Sequence, residues 1–473
     1  MSEAIQPQEP SVSPLRGDLT QGPILSTLVM FSLPMLATNL LQSLNSSINT
    51  IWVGHLIGEG AVAATAIGGM VMFLLYAVIF GLGNAATIRV GHFYGAQELV
   101  PARRTFAAGI GFCAALALIA GIIGHFAADH VLRVLATPAE SFRDALIYLR
   151  ISFVTMPFGT VSIIMAMALR GAGDSRTPLF AMGLTVVLDA VLNPVLILGL
   201  GPAPALGIAG SALATAFANL SGTLLMIAIV QGRGLPLRLR GAEWRFLIPD
   251  RATVSYTLAK GLPMGAQMLA LSAAGLVMIG LVNRQGLNAA AAYGASLQIW
   301  NYLMMPSFAV GMAVSAMVAQ SIGADRHDRV GEANRIGLYA VMAMTLLPSV
   351  LIILAARPLL ALFLGGDSPA LDVGEHIIAI ATWSFVFSGI VVVLNGTMRA
   401  YGEVVLPLIV MVVAMYPGRI GFYFATRPWL GEDAVWWAFP AGTLLSVALT
   451  WLAYAKGRWR DKRISVPAPA SAG

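Results

Sequence analysis

Two ionisable side chains of opposite charge lie deep inside otherwise apolar stretches of this sequence. Asp189 is in the segment LTVVLDAVLNPVLIL, and Arg419 is in VMVVAMYPGRIGFYF. Ionisable groups inside a membrane-spanning helix are costly and mark ion pathways, proton relays or ligand sites. Burial disfavours the charged form of Asp189, so uptake of a proton or a sodium ion would remove that cost. We predict that Asp189 binds a coupling ion; the alternative is a structural acid satisfied by neighbouring Asn and Thr side chains.

The composition indicates that these stretches cross a membrane. Hydrophobic residues make up 58% of the 473 residues and charged residues 11%, and the mean hydropathy is +0.80. At about 20 apolar residues per span, we predict an all-α polytopic membrane protein with twelve transmembrane helices. The last three predicted spans are 375–398, 404–426 and 432–456.

The chain contains an internal repeat. The second copy follows the first after 228 or 229 residues, pairing Leu33-Pro34-Met35 with Leu262-Pro263-Met264, and Gly83, Val90, Gly95 and Ala96 with Gly311, Val318, Gly323 and Ala324. Each copy holds six spans, an even number, so both copies enter the membrane from the same side and form parallel repeats. Repeated bundles that meet around a central site are typical of secondary transporters.

The repeat predicts five regions along the chain. They are a disordered tail (1–23), a first lobe of six spans (24–231), a linker (232–251), a second lobe of six spans (252–456) and a second tail (457–473). Most of the 28 Lys and Arg residues fall in alternate loops and at the two ends. The positive-inside rule therefore predicts a multi-pass protein of the inner (plasma) membrane with both termini in the cytoplasm. The excess of basic over acidic residues is thus explained by the membrane topology and implies no nucleic-acid partner.

One turn is repeated with its chemistry nearly intact. LRGAGDSRTPL, residues 169–179, corresponds to MRAYGEVVLPL, residues 398–408. A basic residue favours a helix C-terminus, Gly permits the turn, and Pro starts the next helix. We interpret the motif as a capping turn; the alternative is a ligand or catalytic role for its acid.

The segments FSLPMLATNLLQSLNSSINTIWVGHLIG, LRGAGDSRTP, LDAVLNPVLILGLG and LGIAGSALAT, together with the duplication, resemble the multidrug and toxic compound extrusion (MATE) family. The resemblance extends over nearly all of residues 20–456. It implies two V-shaped six-helix lobes, no cofactor, and antiport of organic cations or other amphiphiles driven by protons or sodium ions. The same superfamily includes flippases for lipid-linked sugars, and a flippase is the alternative function.

The resemblance also implies an ion site in the first lobe. In the family it is commonly built from an acid in the first span, an Asn and then an Asp in the fifth, and a Thr in the sixth. Those positions read Asn49, Asp189, Asn193 and Thr215 here. The first acid is thus an amide and the fifth-span pair is reversed, which leaves one carboxylate. One carboxylate with neutral oxygens could hold sodium, and it suits a proton at least as well.

The first span carries polar residues that helical spacing places on one face, Asn39, Gln42, Asn45 or Ser46, and Asn49. They could line a hydrated path to Asp189 or bond neighbouring helices. Pro34 in the same helix frees a backbone carbonyl and permits a bend. Bending there on ion binding is what the resemblance implies.

A second polar and aromatic set is a candidate substrate surface. Its amide, aromatic and thioether groups could contact a flat amphiphile. The set is Gln267, Gln298, Asn301, Tyr302 and Met305, with Gln42 of the first span as a further member. Ordinary helix packing is the alternative for each. Arg419 could neutralise Asp189 in one conformation, repel a cationic substrate, or bond backbone carbonyls near Pro417.

We therefore predict a monomeric, ion-coupled antiporter that exports small amphiphilic, cationic drugs or metabolites across the bilayer. An enzyme would need a paired acid and base or a metal cluster in the spans, and the sequence has none with that spacing. A passive channel is less consistent with a single buried carboxylate and no filter motif.

Overall fold

The computed structural model describes residues 18–201 and 204–461, so most of the two predicted tails, 1–17 and 462–473, lies outside it. The described residues are helical and contain no strand. The N-lobe consists of α1 (Ile24–Leu56), α2 (Glu59–Gly95), α3 (Leu99–Val134), α4 (Ala139–Gly171), α5 (Arg176–Leu198) and α6 (Ile208–Gly232). The C-lobe consists of α7 (Arg251–Asn283), α8 (Leu287–Gly323), α9 (His327–Leu354), α10 (Ala356–Leu364), α11 (Ala370–Ala381), α12 (Ser384–Ala400), α13 (Val405–Val413), α14 (Phe422–Leu430) and α15 (Ala434–Ala455).

The prediction of an all-α protein with twelve spans is confirmed. Ten helical runs in the described part are long and apolar enough to cross a membrane, and α11 with α12 forms one more span that bends by 48°. One of the ten, Val405–Ala455, has 51 residues, about 75 Å at 1.5 Å per residue and more than twice the apolar core of a bilayer. The chain reverses direction at Gly431, whose φ is +59°. The segments before and after Gly431 therefore pack side by side, and Arg419 of the first lies over the Phe439 ring of the second. This run therefore supplies two antiparallel spans.

The repeated turn caps the helices that follow it, as its interpretation as a capping motif predicts. Asp174 Oδ1 accepts hydrogen bonds from the backbone N–H groups of Arg176 and Thr177, both at 3.0 Å. Glu403 Oε1 accepts from the first two N–H groups of α13, at 3.2 and 3.0 Å. The preceding glycines have φ of +83° and +86°, a conformation that favours Gly. The acids therefore satisfy otherwise unpaired helix-end donors.

The two lobes touch at one end of the bundle, which we call the tail end because residues 18–23 and Trp459 lie there. Helix α2 crosses α7 and α8 through glycines: a methyl group on Gly81 would overlap the backbone of Gly265, and one on Gly95 would overlap the Gln320 carbonyl oxygen. Close backbone contact through small residues is the usual means of tight helix packing in membranes. The opposite end, where α1 ends and α8 begins, is the cleft end.

The described part of the predicted N-terminal tail packs against the C-lobe. Leu19 is 1% exposed, and its N–H donates to Gln320 Oε1 at 3.3 Å. Arg326 donates to the Thr20 carbonyl oxygen at 2.9 Å. Trp459, from the predicted C-terminal tail, is also buried. Residues 18–23 thus form part of the closed tail end.

The predicted linker folds back on α3. Arg103 donates to the Pro236 carbonyl oxygen at 2.7 Å and to Glu243 at 3.1 Å. Arg104 forms an ion pair with Asp250 at 2.8 Å. The connection between the lobes is therefore held to the N-lobe at the tail end.

Candidate ion-coupling site

Asp189 lies inside the N-lobe and is 1% exposed. Its Oδ1 accepts hydrogen bonds from Asn193 Nδ2 at 2.9 Å and Thr215 Oγ1 at 3.0 Å. Its Oδ2 accepts from Asn45 Nδ2 at 2.9 Å. Hydrogen bonds to an ionised acceptor are shorter and stronger than neutral ones. Three donors from three helices therefore satisfy a buried carboxylate that no cationic side chain pairs with in the described residues.

Local and long-range features together build this cluster. Asn193 follows Asp189 by four residues, so helical spacing alone places both side chains on one face of α5. Thr215 reaches them because α5 and α6 pack closely at Gly222, where a methyl group would overlap Thr185. Asn45 is supplied by α1, which packs along α5. The site thus joins three helices of one lobe.

The predicted ion set is only partly brought together. Asp189, Asn193 and Thr215 are in direct contact, whereas Asn49 is hydrogen-bonded to Ser211, whose Oγ donates to Asn49 Oδ1 at 2.8 Å. The α1 residue that contacts Asp189 is Asn45, one turn away from Asn49. The sequence predicts Asn45 in the polar stripe of α1 but not at the ion site, because no local pattern distinguishes it from Asn49.

Two amide oxygens beside the carboxylate have no hydrogen-bond donor among the described residues. They are Asn45 Oδ1 and Asn193 Oδ1, and both atoms are buried. Buried polar atoms are almost always paired, so such an exception calls for a specific explanation. A carboxylate with adjacent amide and hydroxyl oxygens is the chemistry that a hard cation prefers. The same amides could rotate and accept a hydrogen bond from a protonated carboxyl group.

Comparison with known proteins agrees with this two-lobed architecture. A family model described as MatE matches residues 34–195 and again 263–424, one match per lobe. The chain belongs to the MatE family. It is 31% identical to YoeA of Bacillus subtilis strain 168, named a probable multidrug resistance protein, over 92% of this chain and 94% of that one. It is 28% identical to YpnP of the same organism, named likewise, over 94% and 98% of the two chains.

Among solved structures, the fold is similar to an outward-facing multidrug resistance MATE transporter. The TM-score is 0.85 at 20% identity, covering 94% of this chain and 98% of the other. The chain is therefore a multi-pass membrane transporter of a multidrug efflux family, with a V-shaped pair of lobes. Its relatives are transporters rather than enzymes.

Arg419 of this MatE transporter lies in the C-lobe and forms no ion pair with Asp189. It is on the π-helical stretch Ala414–Gly421 that joins α13 to α14. Its guanidinium carbon is 4.5 Å from the centre of the Phe439 ring, and the absence of a side chain on Gly442 allows α15 to approach it. In this conformation the Arg419 side chain neither neutralises Asp189 nor makes a hydrogen bond within the described chain.

The candidate substrate residues divide into two groups. Gln298, Asn301 and Tyr302 are exposed on one face of α8 at the cleft end, Met305 is half-buried on the same face, and Gln42 is exposed on α1. Gln267 lies elsewhere.

Gln267 accepts a hydrogen bond from Arg399 at 2.6 Å and donates to the Pro407 carbonyl oxygen at 3.5 Å. It therefore joins α7 to the end of α12 in this MatE chain rather than lining the surface formed by Gln298 and Tyr302. Pro34 is inside the continuous helix α1, and its carbonyl oxygen accepts from Thr38 Oγ1 at 2.8 Å.

Proposed function

We propose that this protein exports an amphiphilic, cationic drug or toxic metabolite in exchange for a proton or a sodium ion bound at Asp189. The observation that carries the proposal is the buried Asp189 carboxylate, held by three hydrogen-bond donors beside two unpaired amide oxygens. Relatives named as multidrug resistance proteins support drug export and do not favour the flippase alternative.

Either ion would change the same hydrogen bonds. A proton on Oδ2 turns an acceptor into a donor, so Asn45 must turn its amide and present Oδ1, which has no donor here. A sodium ion would instead draw both amide oxygens and the Thr215 hydroxyl oxygen towards the carboxylate. Because Asn45 belongs to α1, ion binding would alter how α1 sits against α5, with Pro34 as the place where α1 bends.

The substrate path follows from the shape of the cleft. The lobes touch at the tail end, and the exposed polar face of Gln298, Asn301 and Tyr302 lies at the cleft end. Amide side chains that are exposed within a membrane-spanning helix, as these are in α8, are more stable in a hydrated cleft than in lipid. With the tail end in the cytoplasm, as the distribution of basic residues predicts, this arrangement is outward-open. Ion and substrate would then favour opposite conformations, which gives exchange by population shift. A single chain contains both lobes, so a monomer suffices.

Transport by proteoliposomes tests the proposal. Ethidium efflux would be driven separately by a proton gradient and by a sodium gradient, with Asp189→Asn as the test variant. Asp174→Asn is the matched control, because it makes the same chemical change in the turn that precedes the same helix, at a cap outside the membrane. We expect one gradient to drive efflux that Asp189→Asn abolishes and Asp174→Asn retains. Gradient-driven efflux by Asp189→Asn at the wild-type rate would disprove the assignment.

A further inference from the structure

Arg419 is a charge in the middle of a membrane span that cannot reach the membrane surface. The helical run that carries it extends from Val405 to Leu430, so each end is about 16 Å or more away at 1.5 Å per residue. Arginine side chains near helix ends can extend to the interface, but this distance is too long. The charge must be compensated where it lies.

The chain itself does not compensate this charge. Within the described residues, Arg419 has no ion-pair partner and no hydrogen-bond acceptor, and its Nε is buried. The repeat makes the contrast with Asp189 specific: the C-lobe positions equivalent to Asn45, Asn193 and Thr215 are Ala274, Phe422 and Val435. The polar groups that hold Asp189 in the N-lobe are thus replaced by apolar residues at the corresponding C-lobe positions.

The Arg419 side chain is partly exposed. The two terminal nitrogens of Arg419 are not among the buried atoms, although neither makes a hydrogen bond within the described chain. Tyr293 lies beside the same Phe439 ring that Arg419 contacts, with ring centres 5.9 Å apart, and its largely buried side chain makes no hydrogen bond within the described chain. The Phe439 ring covers one face of the guanidinium, and Trp436 packs on Tyr293 with ring centres 6.0 Å apart. These aromatic rings, together with the unpaired N–H donors of the planar guanidinium, suit a ligand that carries a carboxylate or a phosphate.

We infer that Arg419 and Tyr293 bind an anionic group, a carboxylate or a phosphate, of the transported substrate. This inference rests on the proposed export function and narrows its substrate class to amphiphilic cations that also carry an acidic group. A purely structural role for Arg419 is a weaker explanation, because the contact with Phe439 recovers only a small part of the cost of removing a guanidinium from water.

Binding of matched probes tests the site. Purified protein in phosphatidylcholine nanodiscs, which contain no anionic lipid, would be titrated with 1-naphthoate, 1-naphthyl phosphate and the neutral 1-naphthamide. We expect the wild type to bind at least one anion at least tenfold more tightly than the amide. Arg419→Gln should remove that preference, Arg419→Lys should keep part of it, and Tyr293→Phe should weaken anion binding several-fold.

Two controls make the result specific. The first control is Arg427→Gln. Arg427 is on the same helical run and also lies over an aromatic ring, that of Tyr423 at 5.9 Å, but it is near the end of the run. This variant should bind the anion as the wild type does. Asp189→Asn should lose ion-driven transport and keep anion binding, which separates failure of the proposed function from failure of this inference.

Thermal unfolding supplies a second readout. The anion should raise the unfolding temperature of the wild type and leave that of Arg419→Gln unchanged. Equal wild-type affinity for the anions and the amide would overturn the inference. An anion preference that persists in Arg419→Gln would do the same. If Arg419→Gln does not fold, the inference is tested with Tyr293→Phe and Arg419→Lys. Unchanged anion binding in both of these variants would overturn the inference.

Discussion

Gly95 at the end of α2 and Gln320 near the end of α8 are in backbone contact across the lobe interface. A methyl group on Gly95 would overlap the Gln320 carbonyl oxygen, and one on Gly323 would overlap the His92 carbonyl oxygen. The repeat relates these pairs, since Gly95 corresponds to Gly323 and His92 to Gln320. The closed tail end is therefore a reciprocal contact between equivalent turns of the two lobes.

We predict that Gly95→Ala opens the tail end. The added methyl group destabilises only the closed state, because separation of the lobes removes the overlap. Overpacking of this kind costs about 1–3 kcal/mol, which shifts the conformational equilibrium by about 5- to 150-fold. The distance between spin labels at Val100 and Asp328, both exposed at this end, should increase. Gly69→Ala is the control, because Gly69 is on the same helix with open space around it; an equal response in both variants would contradict the prediction.

The Gln320 side chain also holds the tail end closed. Its Nε2 donates to the Gly171 carbonyl oxygen of the N-lobe at 2.9 Å, and its Oε1 accepts from the Leu19 N–H at 3.3 Å. Gln320→Ala leaves both partners unpaired in the closed state, which costs about 1–3 kcal/mol for each buried group. We expect the same increase in label distance as for Gly95→Ala. Gln320→Glu should open the end as well, since it cannot donate to Gly171. Unchanged distances in both variants would show that the glycine contact alone is sufficient.

Asn49→Asp tests why this chain has one carboxylate at its ion site. The substitution adds a second acid about one helical turn from the contact between Asn45 and Asp189, where the Ser211 hydroxyl can donate to it. Additional carboxylate ligands strengthen binding of hard cations, so sodium should raise the unfolding temperature of this variant more than that of the wild type. Gln42→Glu, on the exposed part of the same helix, is the matched control. Equal sodium dependence in Asn49→Asp and the control would contradict the placement of Asn49 beside the ion path.

The fold was largely predictable from the sequence because its signals are repeated or local. The duplication predicts the two lobes, hydropathy predicts the spans, and the spacing of Asp189 and Asn193 places them together on one helix. The break between α11 and α12 was not predictable, since Thr382 and Trp383 contain neither of the usual helix breakers, Pro and Gly.

The partners of the candidate residues were less predictable because they depend on contacts between distant helices. Asn45 rather than Asn49 reaches Asp189 only because of how α1 lies along α5. Gln267 is drawn away from the cleft by Arg399, which follows it by more than 100 residues. No periodicity in the sequence reports such pairs.

The cap of α7 gives a prediction about stability and pH. Asp250 accepts a hydrogen bond from the Thr253 N–H at 2.6 Å and pairs with Arg104. Burial acts to raise the pKa of Asp250, but the hydrogen bonds from Thr253 and the charge of Arg104 outweigh it, and the pKa lies below its usual value. A lowered pKa stabilises the fold above the unfolded value of about 3.9, and this contribution is lost as the pH falls through the folded value.

We therefore expect Asp250→Ala to lower the stability at pH 7 by about 1 kcal/mol, the usual value of a helix cap. Asp250→Asn should lose less, because Asn also caps helices well and only the partly exposed ion pair with Arg104 is removed. The measurement is thermal unfolding followed by tryptophan fluorescence at pH 7 and pH 3. As the pH falls through the folded pKa of Asp250, the wild-type carboxylate takes up a proton, so the difference in stability between Asp250→Asn and the wild type should shrink towards low pH. Equal losses in the Ala and Asn variants at pH 7 would show that the ion pair, and not the cap, supplies the stability at this junction between the linker and the C-lobe.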